Sequence, residues 1–216
     1  MSKLDEIAIN IEFVLVSLIE GVALVTLAEQ TEVLIDRADW LLFVPYVLSG
    51  LAILLVFWAQ SILHAVSFIR WPIRIEHMLL YFVAAFLQIL AYSSLTDITM
   101  WFFWWTIFSF VGLLVYWLDL QLIRDSRASF AKIQGGSDFI ADVERQHLYD
   151  MKYLVPGALA FNGIVCTLAY FAPGLFSTPL SVALPGTLQF LITAGALYSC
   201  VQNFRERGVL LAQLHG

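Results

Sequence analysis

Six long apolar segments, separated by polar connections, constrain this chain more than any other feature. A helix rises 1.5 Å per residue, so about 20 apolar residues cross the roughly 30 Å hydrocarbon layer of a bilayer. The segments are 18 to 29 residues long and comprise residues 9–28, 40–68, 78–95, 100–122, 153–171 and 182–204. We therefore predict an all-α, polytopic membrane protein in which six transmembrane helices form one domain over residues 1–216.

Composition supports a lipid environment and excludes one class of partner. Hydrophobic residues make up 61% of the chain and charged residues 13%, against about 45–50% and 25% in soluble domains. The formal net charge is −6. Because nucleic-acid binding needs a basic surface, we expect the lipid bilayer as the surroundings and no nucleic-acid partner.

The distribution of basic residues predicts the orientation. With six alternating spans, ten of the eleven Lys and Arg residues fall on one side of the membrane, and only Arg37 falls on the other. Cytoplasmic loops carry the excess of Lys and Arg. We therefore expect both termini in the cytoplasm.

The longest cytoplasmic connection, residues 123–152, contains a possible amphipathic helix after Gly135-Gly136. Four residues at helical spacing form its less polar face: Ile140, Val143, His147 and Met151. Such a face is typical of a helix that lies on the membrane surface or on a neighbouring subunit.

An acidic residue, Glu20, lies near the middle of the first span. A carboxylate in hydrocarbon is costly, so it is a functional candidate unless it only fixes helix packing. The second span carries polar residues towards its cytoplasmic end, where they need hydrogen-bond partners. We predict an intramembrane polar network of Glu20, Trp58, Gln60, Ser61, His64 and Arg70. Asp119 and Arg124, at the inner end of the fourth span, are interpreted as an interfacial charge pair.

A second stripe on the first helix is apolar at its inner part and acidic at its outer part. Its members repeat every three or four residues: Leu18, Val22, Val25, Glu29 and Glu32. Several copies around one axis would form a hydrophobic constriction below a mouth that attracts cations. The alternative is an ordinary helix end that enters water. Glu20 and Glu29 are nine residues apart and point to opposite sides of the helix.

Signatures of enzymes are absent from the sequence, which has no HExxH, GxSxG or phosphate-binding loop. We expect no enzymatic activity, no cofactor and no metal site.

Two short motifs resemble those of the six-helix potassium channels of bacteria and lysosomes. Leu18-Ile19-Glu20-Gly21-Val22 stands where that family has Phe-Ser-Asp-Gly-Val, and Trp58-Ala59-Gln60-Ser61 stands where it has Trp-x-x-His. The Phe, Ser and His are replaced, and Val14 occupies the place of an arginine. The resemblance implies a homo-oligomer in the bacterial inner (cell) membrane that passes a monovalent cation such as potassium. It further implies a pore lined by the Val22, Val25 and Glu29 face, with Glu20 behind it in contact with Trp58.

Three hypotheses on function follow. The first is a cation channel. The second is a non-conducting membrane sensor or anchor that acts with a cytosolic protein partner through the long loop. The third is a proton-coupled transporter that uses Glu20.

Overall fold

Long α-helices form nearly all of the chain. The computed structural model describes residues 3–68, 75–132 and 135–215, and these ranges contain no β-strand. The helices are α1 (Lys3–Ile35), α2 (Val44–Phe68), α3 (Ile75–Ser93), α4 (Ile98–Phe130), α5 (Gly136–Tyr149), α6 (Val155–Phe171) and α7 (Pro179–His215). A π-helical segment, Asp150–Leu154, joins α5 to α6.

Five helical stretches are long and apolar enough to cross a membrane, and the apolar part of α3, Met78–Ser93, is shorter. These stretches and α3 match the six predicted spans. The chain is therefore all-helical, and its helices are those of a multi-pass membrane protein.

Short connections make neighbouring helices antiparallel. Residues 36–43, 94–97 and 172–178 lie at one end of the bundle, which we call the loop end. The first residues of α1, the last residues of α7 and the α4–α5 connection lie at the opposite end, which we call the terminal end.

Several helices continue beyond their predicted ends. The 33 residues of α4 span about 50 Å, well over the roughly 30 Å of hydrocarbon, so its last turns emerge at the terminal end. α1 and α7 are also longer than their apolar segments. Hydropathy marks where a helix enters water, whereas the backbone hydrogen bonds continue past that point.

The less polar face of the amphipathic helix α5 packs partly against α4 of its own subunit. Ile140 and Val143 are buried in a small core with Ile123 and Phe130 of α4. α5 also continues through the π segment into α6. From the sequence we considered a membrane surface or a neighbouring subunit for this face and not α4, because periodicity identifies an apolar face but not what covers it.

The bundle is organised around α2 and α4. α4 packs on α3 and α6, α2 packs on α7, and α1 packs at the edge on α2 and α3. The main core is aromatic and consists largely of Tyr46, Tyr92, Trp101, Phe102 and Trp105.

One contact between α2 and α7 requires a glycine. A Cβ atom at Gly186 would collide with the ring of Tyr46. The hydroxyl of Tyr46 donates a hydrogen bond of 2.6 Å to the carbonyl oxygen of Val182. Helices can approach this closely only where one of them lacks a side chain.

Candidate functional site

The stripe of α1 that was predicted to line a pore lies on the surface of the subunit. Leu18, Val22 and Val25 are 65%, 49% and 55% exposed. Glu29 and Glu32 are exposed at the loop end of the same stripe. The face of α1 that packs against the subunit lies on the other side and includes Val16, Ala23, Leu27 and Leu34. All five predicted residues therefore share one uncovered face.

Glu20 lies on the packed side of α1 and is only 4% exposed. Neither of its carboxylate oxygens has a hydrogen-bond partner among the described residues. Ala23 and Leu27, further along the packed side of α1, belong to the same core cluster as Tyr92 of α3. A buried acid without hydrogen bonds is unusual, because a desolvated carboxylate normally accepts several.

Tyr92 is hydrogen-bonded to other polar groups of this core. The Tyr92 hydroxyl lies 2.9 Å from the carbonyl oxygen of Gly50, to which it donates, and 3.3 Å from Oε1 of Gln88. The Nε2 group of Gln88 and the Nε1 group of Trp105 are buried and have no acceptor among the described residues. The region around Tyr92 therefore contains both donors and acceptors that the described residues leave without partners.

The polar residues of α2 do not gather around Glu20. Gln60 accepts a hydrogen bond of 3.1 Å from the Tyr116 hydroxyl of α4, and Ser61 donates to the carbonyl of Phe57 in its own helix. Trp58 is 41% exposed, and Arg70 lies outside the described residues. The predicted network is thus divided into a site around Glu20 and a separate group on the α4 side of α2.

This second group lines a cavity of about 220 Å³ in the terminal half of the bundle. Nε2 of His64 lies 3.6 Å from Oδ1 of Asp119. Asp150, at the start of the π segment, accepts a hydrogen bond of 3.0 Å from Gln146. Both aspartates are less than 10% exposed. π-Helical turns occur frequently at functional sites.

Tyr116 lines the same cavity as the two carboxylates. The ring of His147 stacks on the Tyr116 ring with 4.5 Å between centroids, and Nε2 of His147 is 2.8 Å from the Tyr116 carbonyl oxygen. Because a carbonyl only accepts, Nε2 carries the proton in this contact.

Sequence reasoning missed most of this cavity. It interpreted Asp119 as the partner of Arg124, whereas the structure brings Asp119 to His64 and Arg124 to Glu144. Asp150 was assigned no role. The available signal was the presence of two acids and two histidines at the inner ends of predicted spans, but their distances along the chain gave no indication that they meet.

A buried chain of hydrogen bonds runs from the cavity wall towards the loop end. Asn162 of α6 donates to Ser109 at 3.4 Å and accepts from Gln189 of α7 at 3.1 Å. Gln189 in turn accepts from Nε1 of Trp101 at 2.7 Å. Asn162 and Gln189 thus bond across helices.

Glu144 joins α5 to the extension of α4, outside the apolar spans. Arg124 donates to it at 2.9 Å and Arg127 donates to its other oxygen. The hydrogen bond from Arg124, together with the charge of Arg127, holds the pKa of the Glu144 carboxyl below its usual range. This ion pair and the small apolar core fix α5 against α4.

Comparisons with protein-family models, with curated proteins and with solved structures found no match to this chain. Functional arguments therefore rest on the geometry described above.

Proposed function

We propose that the chain forms a homo-oligomeric cation channel in which α1 of each subunit lines a shared pore, with the terminal end in the cytoplasm. One observation supports this most directly: the five residues of the predicted stripe lie on the single face of α1 that the subunit leaves uncovered. Around an axis, this face would present rings of Leu18, Val22 and Val25.

The position of Glu20 supports the same arrangement. In a channel of the family that this chain resembles, the pore face would lie on one side of the first helix and the acidic motif residue on the other side. In this chain Val22 and Val25 are exposed while Glu20 is buried. The proposed permeant ion is a monovalent cation such as potassium, on the basis of that resemblance.

Exposed acids at the loop end would attract the ion. Glu29 and Glu32 follow the apolar stripe directly. Two carboxylates from every subunit would raise the local concentration of cations at the outer mouth, an effect that added salt weakens.

The proposal is tested by reconstitution into liposomes together with measurement of the oligomeric state by native mass spectrometry. We expect potassium flux above that of empty vesicles, and reduced flux at low salt in the double variant Glu29→Gln, Glu32→Gln. Asp142→Asn removes an exposed carboxylate of α5 at the other end and should leave flux unchanged. Flux at the empty-vesicle level from intact oligomers would overturn the proposal.

A proton-coupled transporter that uses Glu20 is the second candidate, and the buried carboxylate, which has no hydrogen-bond partner among the described residues, favours it. Transport would then require a pH gradient, which a channel does not need. Glu20→Gln should abolish coupled uptake, whereas Glu76→Gln, an exposed acid in the first turn of α3, should not. Uptake that is equal with and without a gradient would exclude this candidate.

A non-conducting sensor or anchor that acts with a cytosolic protein partner remains the third candidate. Because Ile140 and Val143 pack on α4, such a partner would bind another part of the surface at the terminal end.

A further inference from the structure

Two buried polar side chains lie where α1 packs on α3, on the side of α1 away from the proposed pore face. Both carboxylate oxygens of Glu20 and the Nε2 group of Gln88 are buried and have no hydrogen-bond partner among the described residues. The two side chains are 4% and 0% exposed. Native proteins rarely leave such groups unsatisfied, and ordered water commonly supplies the missing bonds.

The packing of α1 on α3 brings Glu20 and Gln88 to the same height. Both helices end at the loop end, so they run parallel. Four pairs of buried positions follow one another at equal spacing along α1 and along α3 with the turn after it: Val16 and Ala84, Glu20 and Gln88, Ala23 and Ala91, Leu27 and Leu95. The first pair shares one core cluster, and the last two pairs share the next cluster towards the loop end. Because both helices rise by the same 1.5 Å per residue, the second pair lies at one level between these clusters.

The carbonyl end of the Gln88 side chain also has bonding capacity left. The Tyr92 hydroxyl lies 2.9 Å from the carbonyl oxygen of Gly50 and 3.3 Å from Oε1 of Gln88. A hydroxyl has one proton and two lone pairs, and the shorter contact to Gly50 uses the proton. The oxygen atoms of Tyr92 and Gln88 therefore retain the capacity to accept.

We propose that a buried water molecule bridges the carboxyl group of Glu20 and the side-chain amide of Gln88. Water accepts from Nε2 of Gln88, donates to Glu20 and donates to the oxygen atoms of Tyr92 or Gln88. These are about the three hydrogen bonds that an internal water typically makes. The bridge serves both forms of Glu20, because water donates to a carboxylate and accepts from a carboxylic acid.

The two side chains restrict the bound molecule to one that both donates and accepts. An anion would face Glu20, and a metal cation would leave the N–H group of Gln88 without an acceptor. An apolar occupant would leave both side chains unsatisfied. The site lies inside one subunit, so it stands whether or not the opposite face of α1 lines a pore.

The test is a structure of the full chain in lipid nanodiscs at a resolution that shows ordered water. We expect a water molecule about 2.7–3.2 Å from both Nε2 of Gln88 and an oxygen of Glu20. Gln189 is the control within the same map. It is 3% exposed and bonds directly to Trp101 and Asn162, so we expect no water bridge at its amide.

A double-mutant cycle measures whether the two side chains act together. Glu20→Leu and Gln88→Leu are compared singly and combined, by reversible unfolding in detergent. Each change removes one end of the bridge, so the combined loss in the unfolding equilibrium constant should be about tenfold smaller than the product of the single losses. Thr26→Val on α1 is the control, because the Thr26 hydroxyl donates to the carbonyl of Val22 in its own helix. Its effect should combine with that of Gln88→Leu without coupling.

Two results would overturn the proposal. One is a structure in which Glu20 and Gln88 contact each other directly, or in which no water lies between them. The other is a double variant whose loss equals the product of the two single losses. If Glu20→Leu does not fold, the wild-type structure still decides the outcome.

Discussion

Gln189 of α7 joins three helices through its one side chain. Its Oε1 atom accepts the indole N–H of Trp101 at 2.7 Å, and its Nε2 group donates to Asn162 at 3.1 Å. All three side chains are buried. An amide that satisfies both neighbours in this way fixes the relative heights of α4, α6 and α7, because a shift of one helical turn would break both bonds.

Gln189→Leu should destabilise the fold, since the change leaves Trp101 and Asn162 without these partners. Hydrogen bonds between membrane helices are worth about 0.6 kcal/mol on average, and a buried polar group left unsatisfied costs about 1–3 kcal/mol. We expect a loss of about 1–3 kcal/mol in reversible unfolding in detergent. Thr193→Val is the control, because the hydroxyl of Thr193 donates to the carbonyl of Phe190 within its own helix; an equal loss in both variants would contradict this account.

Gly186→Ala should be among the most damaging small substitutions in the chain. The added methyl group meets the Tyr46 ring and separates α2 from α7, with an expected cost of about 1–3 kcal/mol. Gly195→Ala lies in the same helix with nothing within 4 Å of the new Cβ, and it should be neutral or slightly stabilising. Thermal unfolding of the two variants side by side checks the prediction, and a tolerant Gly186 would show that the two helices do not approach as closely as described.

The ion pairs of Glu144 give the contact between α4 and α5 a defined pH dependence. The folded-state pKa of this carboxyl is lowered from its ordinary value of 4.5. The stabilisation is therefore fully present above about pH 4.5 and is lost as pH falls through the folded-state value.

Glu144→Gln should remove this contribution of about 1 kcal/mol at neutral pH, so that wild type and variant converge in acid. Hydrogen exchange along α5, compared at pH 7 and at a series of pH values below 4.5 after correction for intrinsic rates, measures it. Asp142→Asn controls for loss of an exposed charge on the same helix. A difference between wild type and Glu144→Gln that persists undiminished in acid is incompatible with this assignment.

The sequence predicted the helices better than their contacts. A long apolar run shows that its residues lie within the bilayer, and six such runs were therefore recognised as spans. The helical period places the stripe of α1 and Glu20 on different sides of the helix. Once one of these sides is known to pack against the subunit, the exposure of the stripe and the burial of Glu20 follow together.

The cavity could not be predicted in the same way. His64, Asp119 and Asp150 lie in three different segments, and they come to line one cavity only when α2, α4 and the π segment are folded together. Asp150 is buried because α5 continues into α6 without a break, and the polar sequence between them suggested a loop. The partner of Glu144 was also missed, since it required α4 to extend past its apolar segment.

The central claim, that the stripe of Leu18, Val22 and Val25 on the uncovered side of α1 lines a pore, is tested most directly by chemical accessibility during flux. Val22→Cys and Leu24→Cys are compared in a background in which Cys166 and Cys200 are replaced by alanine. The two native side chains are similarly exposed, at 49% and 45%, but they lie about 160° apart around the helix. Reconstituted protein is treated with a charged, water-soluble methanethiosulfonate during potassium flux. The account predicts that the reagent blocks flux through Val22→Cys and leaves Leu24→Cys unaffected; a conducting protein in which neither cysteine reacts, or in which only Leu24→Cys is blocked, would contradict it.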